Sequence, residues 1–328
     1  TSLRKRMTAG ELAVKVPVEK AEETRRKLIN INLLDRGRRI VREGDTVYIP
    51  VTNIPEGEFE VVSKHLPSSK TEHVTYTKIS FDIVGEIAVI NDMDLPLERA
   101  EAFAGEIVKR HKRVRTVLQK VGEVSGEERI ASYRVVYGEP FTETVHRESG
   151  CVFKLDVGKV FFSPRLSTER LRIASQVKEN EVVLDMFAGV GPFSIVIARK
   201  HPSATVYAIE KNPEAYQYLV ENIRLNKVTD RVKPLHGDAA EIVPAIDRRF
   251  TRVIMNLPRQ SINYLLTAVG KTSSNAVIHL YVVENRGERE ETIRRIEAVS
   301  KGLAVRNERV VKDVSPKAVL KVYDLEVL

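Results

Sequence analysis

Three carboxylates and one carboxamide stand where apolar runs of the chain stop. They are Asp185 after "EVVL", Glu210 after "TVYAI", Asp238 in "HGDA" and Asn256 in "RVIMNLPRQS", residues 252–261. Asp185 is followed by Phe187 and by the turn Ala188-Gly189-Val190-Gly191-Pro192, where two glycines let the backbone bring its amides close to whatever lies above. Glu210, at the end of the next strand, is placed to accept hydrogen bonds from ribose hydroxyls. A dinucleotide site would share that acid. Asp185 at the entrance of the loop, however, would repel a pyrophosphate and attract an aminoacyl ammonium or a sulfonium. The pattern therefore favours S-adenosylmethionine over a dinucleotide. Singly, each carboxylate also fits a helix cap or a solvated loop; three at successive strand ends weaken that account.

The elements that must carry these groups follow from periodicity. "EVVLDMF", "TVYAIE", "RVKPLHG", "FTRVIMNL" and "NAVIHLYVVE" read as strands, with "GPFSIVIARK" and "NPEAYQYLVENIRLN" as helices between them. Near-continuous apolar strands alternating with helices predict an α/β, doubly wound sheet over 159–328, with ligands bound at the carboxyl ends of its strands. Two small α+β domains precede it. The first, 1–62, contains a strand "ELAVKVPV", a helix "EKAEETRRKLIN" and a hairpin turning at Glu43-Gly44-Asp45. A linker is expected over 63–72, where Pro67-Ser68-Ser69 interrupts the pattern. The second, 73–158, has an alternating strand pair, a helix near 96–112 and strands in "RTVLQKV", "ASYRVVYG" and "CVFKLDV", and should abut the third.

Composition narrows the partners. The 328 residues are 42% hydrophobic, enough for a core in each domain, and no apolar run approaches the length needed to cross a bilayer. No signal peptide or anchor is indicated, and the lone Cys151 rules out an internal disulfide, so a cytoplasmic protein is expected. No ligand-spaced His or Cys cluster suggests a metal. The net charge of +8 is compatible with a polyanionic partner or with a well-solvated surface. Clusters at "DRGRRIVR" (35–42) and "KRHKRVR" (109–115), the latter with Lys109, Arg110, Lys112, Arg113 and Arg115, are of the kind that bind phosphate backbones.

The segments "DMFAGVGPFS", "NLP" and "KVFFSPRLSTERLRIA" (159–174) resemble the archaeal and eukaryotic class of tRNA (guanine-37) N1-methyltransferases, and the three-unit layout is similar over the full length. The resemblance implies a class I (Rossmann-like) methyltransferase domain, S-adenosylmethionine as cofactor, and tRNA as partner, with no obligate protein partner and a monomer expected. Guanine N1 carries a proton at neutral pH, so a base must remove it and a donor must stabilise the charge that develops on O6. By the resemblance, Glu169 is the base and Arg134 the donor, with Arg165 positioning the substrate or stabilising charge. Asn256 would read the guanine edge, Pro258 would give a flat apolar wall, and Phe161 would stack on a flipped-out base. Phe187, Gly189, Gly191, Asp185, Glu210, Asp238 and Asn256 would hold the cofactor. Where enzymes acting on exocyclic amines often carry an aromatic four residues into the Asn-Pro motif, this chain has Arg259. Ser163 as N-cap and Pro164 as first helical residue would put Arg165 and Glu169 in the opening turns, where an exposed i,i+4 ion pair is the competing account. The first domain is similar to a module that contacts the tRNA elbow. Action on a tricyclic wyosine precursor, by methyl or aminocarboxypropyl transfer, and a non-catalytic tRNA-binding module are the alternatives.

Overall fold

The computed structural model describes residues 12–35, 37–55, 57, 59–67, 79–122 and 132–328. The expected linker from Ser68 to Thr71 and Glu72, and the start of the domain that follows it, lie outside the described residues. The chain divides into two compact units, residues 1–78 and 79–328.

In the first unit, β1 (Leu12–Pro17), α1 (Ala21–Asn30), β2 (Val41–Glu43), β3 (Thr46–Pro50) and β4 (Val61–Ser63) form a sheet of order β2-β3-β1-β4 carrying the helix. Its core is Leu12, Val14, Leu28, Val47, Ile49 and Val51. Gly44, at φ +59°, makes the hairpin turn between β2 and β3. The linker reading starts too early at residue 63. Ser63 pairs with Leu12 across β4 and β1, Leu66 is fully buried, and the Leu66 carbonyl accepts from Arg38 at 2.7 Å.

The second unit opens with β5 (Phe81–Val84), β6 (Ile87–Ile90), α2 (Leu97–Arg110), β7 (Thr116–Lys120) and β8 (Tyr133–Gly138), in sheet order β5-β6-β7-β8. α2 is the crossover between the parallel β6 and β7. A separate hairpin follows, β9 (Glu143–Glu148) with β10 (Cys151–Asp156). The third sheet is built from β11 (Val182–Asp185), β12 (Thr205–Glu210), β13 (Val232–His236), β14 (Phe250–Met255), β15 (Thr272–Asn285), β16 (Leu303–Asp313) and β17 (Ala318–Val327). Its order is β13-β12-β11-β14-β15-β17-β16. The first five strands are parallel and the last two pairings antiparallel, so the expected doubly wound sheet ends in a hairpin that the alternation does not announce. Helices α3 (Ser167–Gln176), α4 (Pro192–Lys200), α5 (Pro213–Leu225), α6 (Ala239–Ala245), α7 (Leu265–Val269) and α8 (Arg289–Val299) cover it. Two apolar cores, one containing Ile173, Phe193 and Leu219 and the other Leu265, Val243 and Ile296, lie on its two faces.

The β9–β10 hairpin, which periodicity groups with residues 73–158, is bonded to α5. Asn222 accepts from the Lys154 amide at 2.7 Å and donates to the Lys154 carbonyl at 3.0 Å, and Asn226 does the same for Val152. Asn222 also donates to the Val190 carbonyl at 3.0 Å, which fixes the glycine loop to the same helix. No helix among the described residues is long and apolar enough to cross a membrane.

Candidate active site

The strands β11, β12 and β14 stop at one sheet margin, where the chain after β11 turns through Gly189 and Gly191. A cavity of about 530 Å3 results, lined by Phe161, Phe187, Gly189, Glu210, Asp238 and Asn256 together with Lys211, Gln260 and Tyr264. That volume falls within the roughly 300–1,000 Å3 of small-molecule sites. Gly189 and Gly191 have φ +56° and +91°, left-handed conformations that favour glycine, and a Cβ on Gly191 would come within 2.7 Å of Leu219 Cδ1. Pro192 then starts α4 in the first-turn position that has no use for an amide proton.

The acidic groups divide by environment. Glu210 accepts from the Gly189 amide at 2.7 Å through Oε2 and from the Asn212 amide at 2.7 Å through Oε1. Burial raises its pKa while those amides oppose the rise, and each oxygen keeps a lone pair for a hydroxyl donor. Asp238 caps α6 through the Ala240 amide at 2.8 Å, which holds its carboxyl below the usual range, and pairs with Lys211 at 3.1 Å. Cap and cavity wall are thus one residue. Both suit a ribose and a polar base edge, and the apolar ring faces of Phe187 and Tyr264, 5.0 Å apart edge to face, suit a purine plane.

Asp185 is placed differently from the expectation. It is buried behind the loop and does not line the cavity, because its Oδ2 accepts from the Ser194 hydroxyl at 2.7 Å inside the turn; among the described residues no side chain or hydroxyl partners Oδ1. Burial pushes its pKa up to about 7 against the pull of Ser194 and of the Phe187 and Ser194 amides. The folded value lies above the ordinary 3.8, so the folded state retains a proton that the unfolded chain releases. Stability should therefore fall as pH rises from about 4 to 7, by about 2–4 kcal/mol. Thermal melts of wild type and Asp185→Asn between pH 5 and 8 check this. The wild-type midpoint should drop and the variant's stay flatter, whereas parallel profiles would contradict it.

Asn256 lines the cavity, and its carboxamide makes no hydrogen bond to the described residues, so both of its polar ends are open to a ligand. Pro258 does not line the cavity. It is buried, and its carbonyl accepts from the Val283 amide at 3.0 Å, tying the turn after β14 to β15. Phe161 is 41% exposed and so not a core residue. With Phe162 and Ser163 it forms the wall shared with a second cavity of about 450 Å3, lined also by Asp82, Asn91, Lys120, Tyr133, Arg165 and Lys312.

The SPRL segment does not form the Arg165–Glu169 ion pair of the competing account. Ser163 precedes a 3-10 turn, Pro164–Leu166, that leads into α3, without a side-chain capping bond. Arg165 reaches Asp82 and Ser80, both at 2.5 Å, rather than Glu169. Glu169 is 1% exposed and lines neither cavity; it accepts from Tyr281 at 2.7 Å, from Arg172 at 2.8 Å and from Arg309 at 3.2 Å. Tyr281 sits one residue beyond the Met255–Leu280 pairing on β15, as Asn256 sits one residue beyond it where β14 ends. Arg134 lies on β8 outside both cavities, donating to Gln119 Oε1 at 2.7 Å. The sequence reading missed Arg170, Lys211, Gln260 and Tyr264 in the cavity wall. Only Lys211 carried a signal, being the residue after Glu210 at a strand end. Among the described residues no group of three or more His, Cys, Asp or Glu could hold a metal ion.

Comparison with known proteins agrees with this architecture. Residues 144–308 match the model of the TRM5/TYW2 methyltransferase domain, 13–60 the tRNA methyltransferase 5 N-terminal domain, and 60–142 the TYW2 N-terminal domain. The chain is 43% identical to the tRNA (guanine(37)-N(1))-methyltransferase Trm5b of Pyrococcus abyssi, over 82% of this chain and 83% of that protein. It is 33% identical to the Methanocaldococcus jannaschii protein of the same name, over 96% and 98%. A solved complex of aTrm5 and tRNALeu superposes with a TM-score of 0.69 at 31% identity, covering 97% of this chain and 100% of that one. With the family model spanning half of its length and these relatives spanning most of theirs, the chain belongs to the TRM5/TYW2 methyltransferase family.

Proposed function

We propose that this protein transfers a methyl group from S-adenosylmethionine to N1 of the guanine at tRNA position 37. One observation carries the reading: the cavity at the strand ends shares the Phe161–Ser163 wall with a second cavity bearing Lys120, Arg165 and Lys312, in a chain whose near full-length relatives are named for that reaction. The cofactor supplies an electrophilic methyl on a sulfonium. Glu210 and Asp238 hold its ribose and base edge, and the packed Phe187–Tyr264 pair gives its purine an apolar wall. Asn256, uncommitted at the margin, accepts from the guanine amino group and fixes the base. Phe161, exposed between the cavities, stacks on it. Asp185 acts through the loop, keeping the Gly189 and Gly191 turn in shape from behind.

Glu169 takes the N1 proton. Catalytic hydrogen bonds often tighten only in the complex with substrate, so the carboxylate turns from Tyr281 toward the base when tRNA binds. Arg165 holds the β5 strand against the SPRL turn, and Arg134 supplies charge at O6 from β8. The second cavity's cations and the "KRHKRVR" cluster meet the tRNA backbone, and the first unit checks the tRNA's shape. A cytoplasmic protein fits the single buried Cys151.

The test is incubation of the full chain with labelled S-adenosylmethionine and unmodified tRNA transcripts carrying guanine or adenine at position 37, followed by nucleoside analysis. 1-Methylguanosine from the guanine transcript alone is expected. Transfer that ignores the base, or a product alkylated on an exocyclic amine, would overturn the reading.

A further inference from the structure

Glu169 is one end of a buried chain of ions that crosses the sheet face beneath α3. Arg172 donates to Glu169 and also to Asp324, at 2.7 Å. Asp324 contacts His279 Nδ1 at 2.6 Å, and His279 Nε2 contacts Arg252 Nη1 at 2.7 Å. Arg252 forks onto Glu181, at 2.7 and 2.9 Å. A guanidinium has only donors, so His279 Nε2 is the acceptor and Nδ1 carries the proton to Asp324. His279 is therefore neutral, in keeping with burial lowering its pKa.

The charge on this chain does not close without one further residue. Glu169, Asp324 and Glu181 bring three negative charges; Arg172 and Arg252 bring two positive ones. Arg309, from the edge strand β16, supplies the third cation through Glu169 Oε2 at 3.2 Å. The groups facing Glu169 are thus Arg172 on its own helix, Tyr281 on β15, Arg309 on β16 and, through Arg172, Asp324 on β17. Tyr281 has its pKa held well above the ordinary value by burial and by the Glu169 charge, so its hydroxyl stays a donor. Arg309 differs from the others in access: its side chain is 41% exposed, against 17% for Arg172 and none for His279. It also lies level with Tyr281, since both pair with Val322.

We propose that Arg309 is a positioning residue for methyl transfer, holding the Glu169 carboxylate from its open side and cancelling the unmatched negative charge of the buried chain. This rests on the reading of Glu169 as the base. Tyr281 and Arg172 fix the carboxylate from the buried side and Arg309 from the open side, so the loss should fall on the proton-taking step and leave the cofactor cavity untouched.

The experiment measures single-turnover methyl transfer to guanine-37 transcripts at saturating tRNA, with tRNA and cofactor affinities by calorimetry, for wild type, Arg309→Gln, Arg309→Lys and Glu169→Gln. Arg309→Gln should slow transfer about tenfold while both affinities stay within about twofold of wild type. Arg309→Lys should restore most of the rate. Arg309→Met provides a second neutral variant if Arg309→Gln melts too low to assay. An unchanged rate in the neutral variants, or a fall that Arg309→Lys does not recover, overturns the inference and assigns Arg309 a structural role only. Glu169→Gln separates the two levels: full activity in that variant overturns the base reading and the inference with it, whereas an inactive Glu169→Gln beside neutral Arg309 variants at full rate overturns the inference alone.

Discussion

Glu169→Gln should lose turnover by a factor of about 10²–10⁴, the usual contribution of a positioned general base, while binding S-adenosylmethionine within about twofold of wild type. The split follows from geometry. Glu169 lies outside the lining of the cofactor cavity, so its charge is not part of cofactor binding. Guanine N1 cannot attack the methyl while protonated, so its loss falls on the chemical step. Gln keeps the volume but turns an amide toward Arg172, which retains Asp324 at 2.7 Å, and toward the part-exposed Arg309. A stability loss accompanies the kinetic one, smaller than the roughly 3–5 kcal/mol of a fully uncompensated buried charge, because Arg172 keeps Asp324 and Arg309 reaches solvent. Rates must therefore be measured well below the variant's melting temperature. Single-turnover kinetics with calorimetric cofactor binding checks the claim; a full rate would show that the proton leaves by another route.

The second large effect concerns stability. Arg170 is 2% exposed. It donates to both Glu148 oxygens at 2.6 and 2.7 Å and to the Ser163 carbonyl at 2.8 Å, with its guanidinium 4.8 Å from the Phe162 ring centroid. One side chain thus fixes the β9 end of the hairpin to the turn that presents Phe161. Arg170→Met should cost about 3–5 kcal/mol, because Glu148 stays buried with its charge uncompensated; replacing both partners by apolar residues should recover much of that. Burial pushes Glu148 up, but His146 and Arg170 outweigh it and hold its pKa below the ordinary 4.5. The pair's contribution is therefore present above that value and lost as pH falls through the lowered folded one, so the gap between wild type and Arg170→Met should narrow in acid. Urea titrations at pH 7 and below pH 4 measure both effects. A single variant within about 1 kcal/mol of wild type would contradict the argument.

Much of the parallel sheet could be read from the chain because β11, β12 and β14 are short apolar runs ending in polar groups, and a strand end is where a doubly wound sheet presents its site. Gly189, Glu210, Asp238 and Asn256 were legible for that reason. The antiparallel end was not. β16 reads "LAVRNERVVKD", an edge strand with solvated charges, and β17 buries Lys321 and Asp324, which break the apolar alternation. Those two residues are satisfied by Glu284 and by His279 with Arg172, partners that only the folded sheet brings together. The same holds for Glu169. Local spacing suggested Arg165 as its partner, yet its contacts to Tyr281 and Arg309 join residues 112 and 140 positions apart. Asp185 misled in another way: its place at the loop entrance was legible, but the Ser194 hydroxyl that turns it inward sits on the next helix.

The central claim is that a carboxylate from α3 and a carboxamide from the end of β14 meet on the Watson–Crick face of one purine, beside the cofactor. A structure of the full chain with guanine-37 tRNA and S-adenosylhomocysteine measures this directly. The account predicts a Glu169 oxygen within about 3.2 Å of guanine N1, directly or through one water, with the Asn256 carboxamide bonded to the same base. Glu169 still closed on Tyr281 and Arg172, with another group at N1, would contradict it.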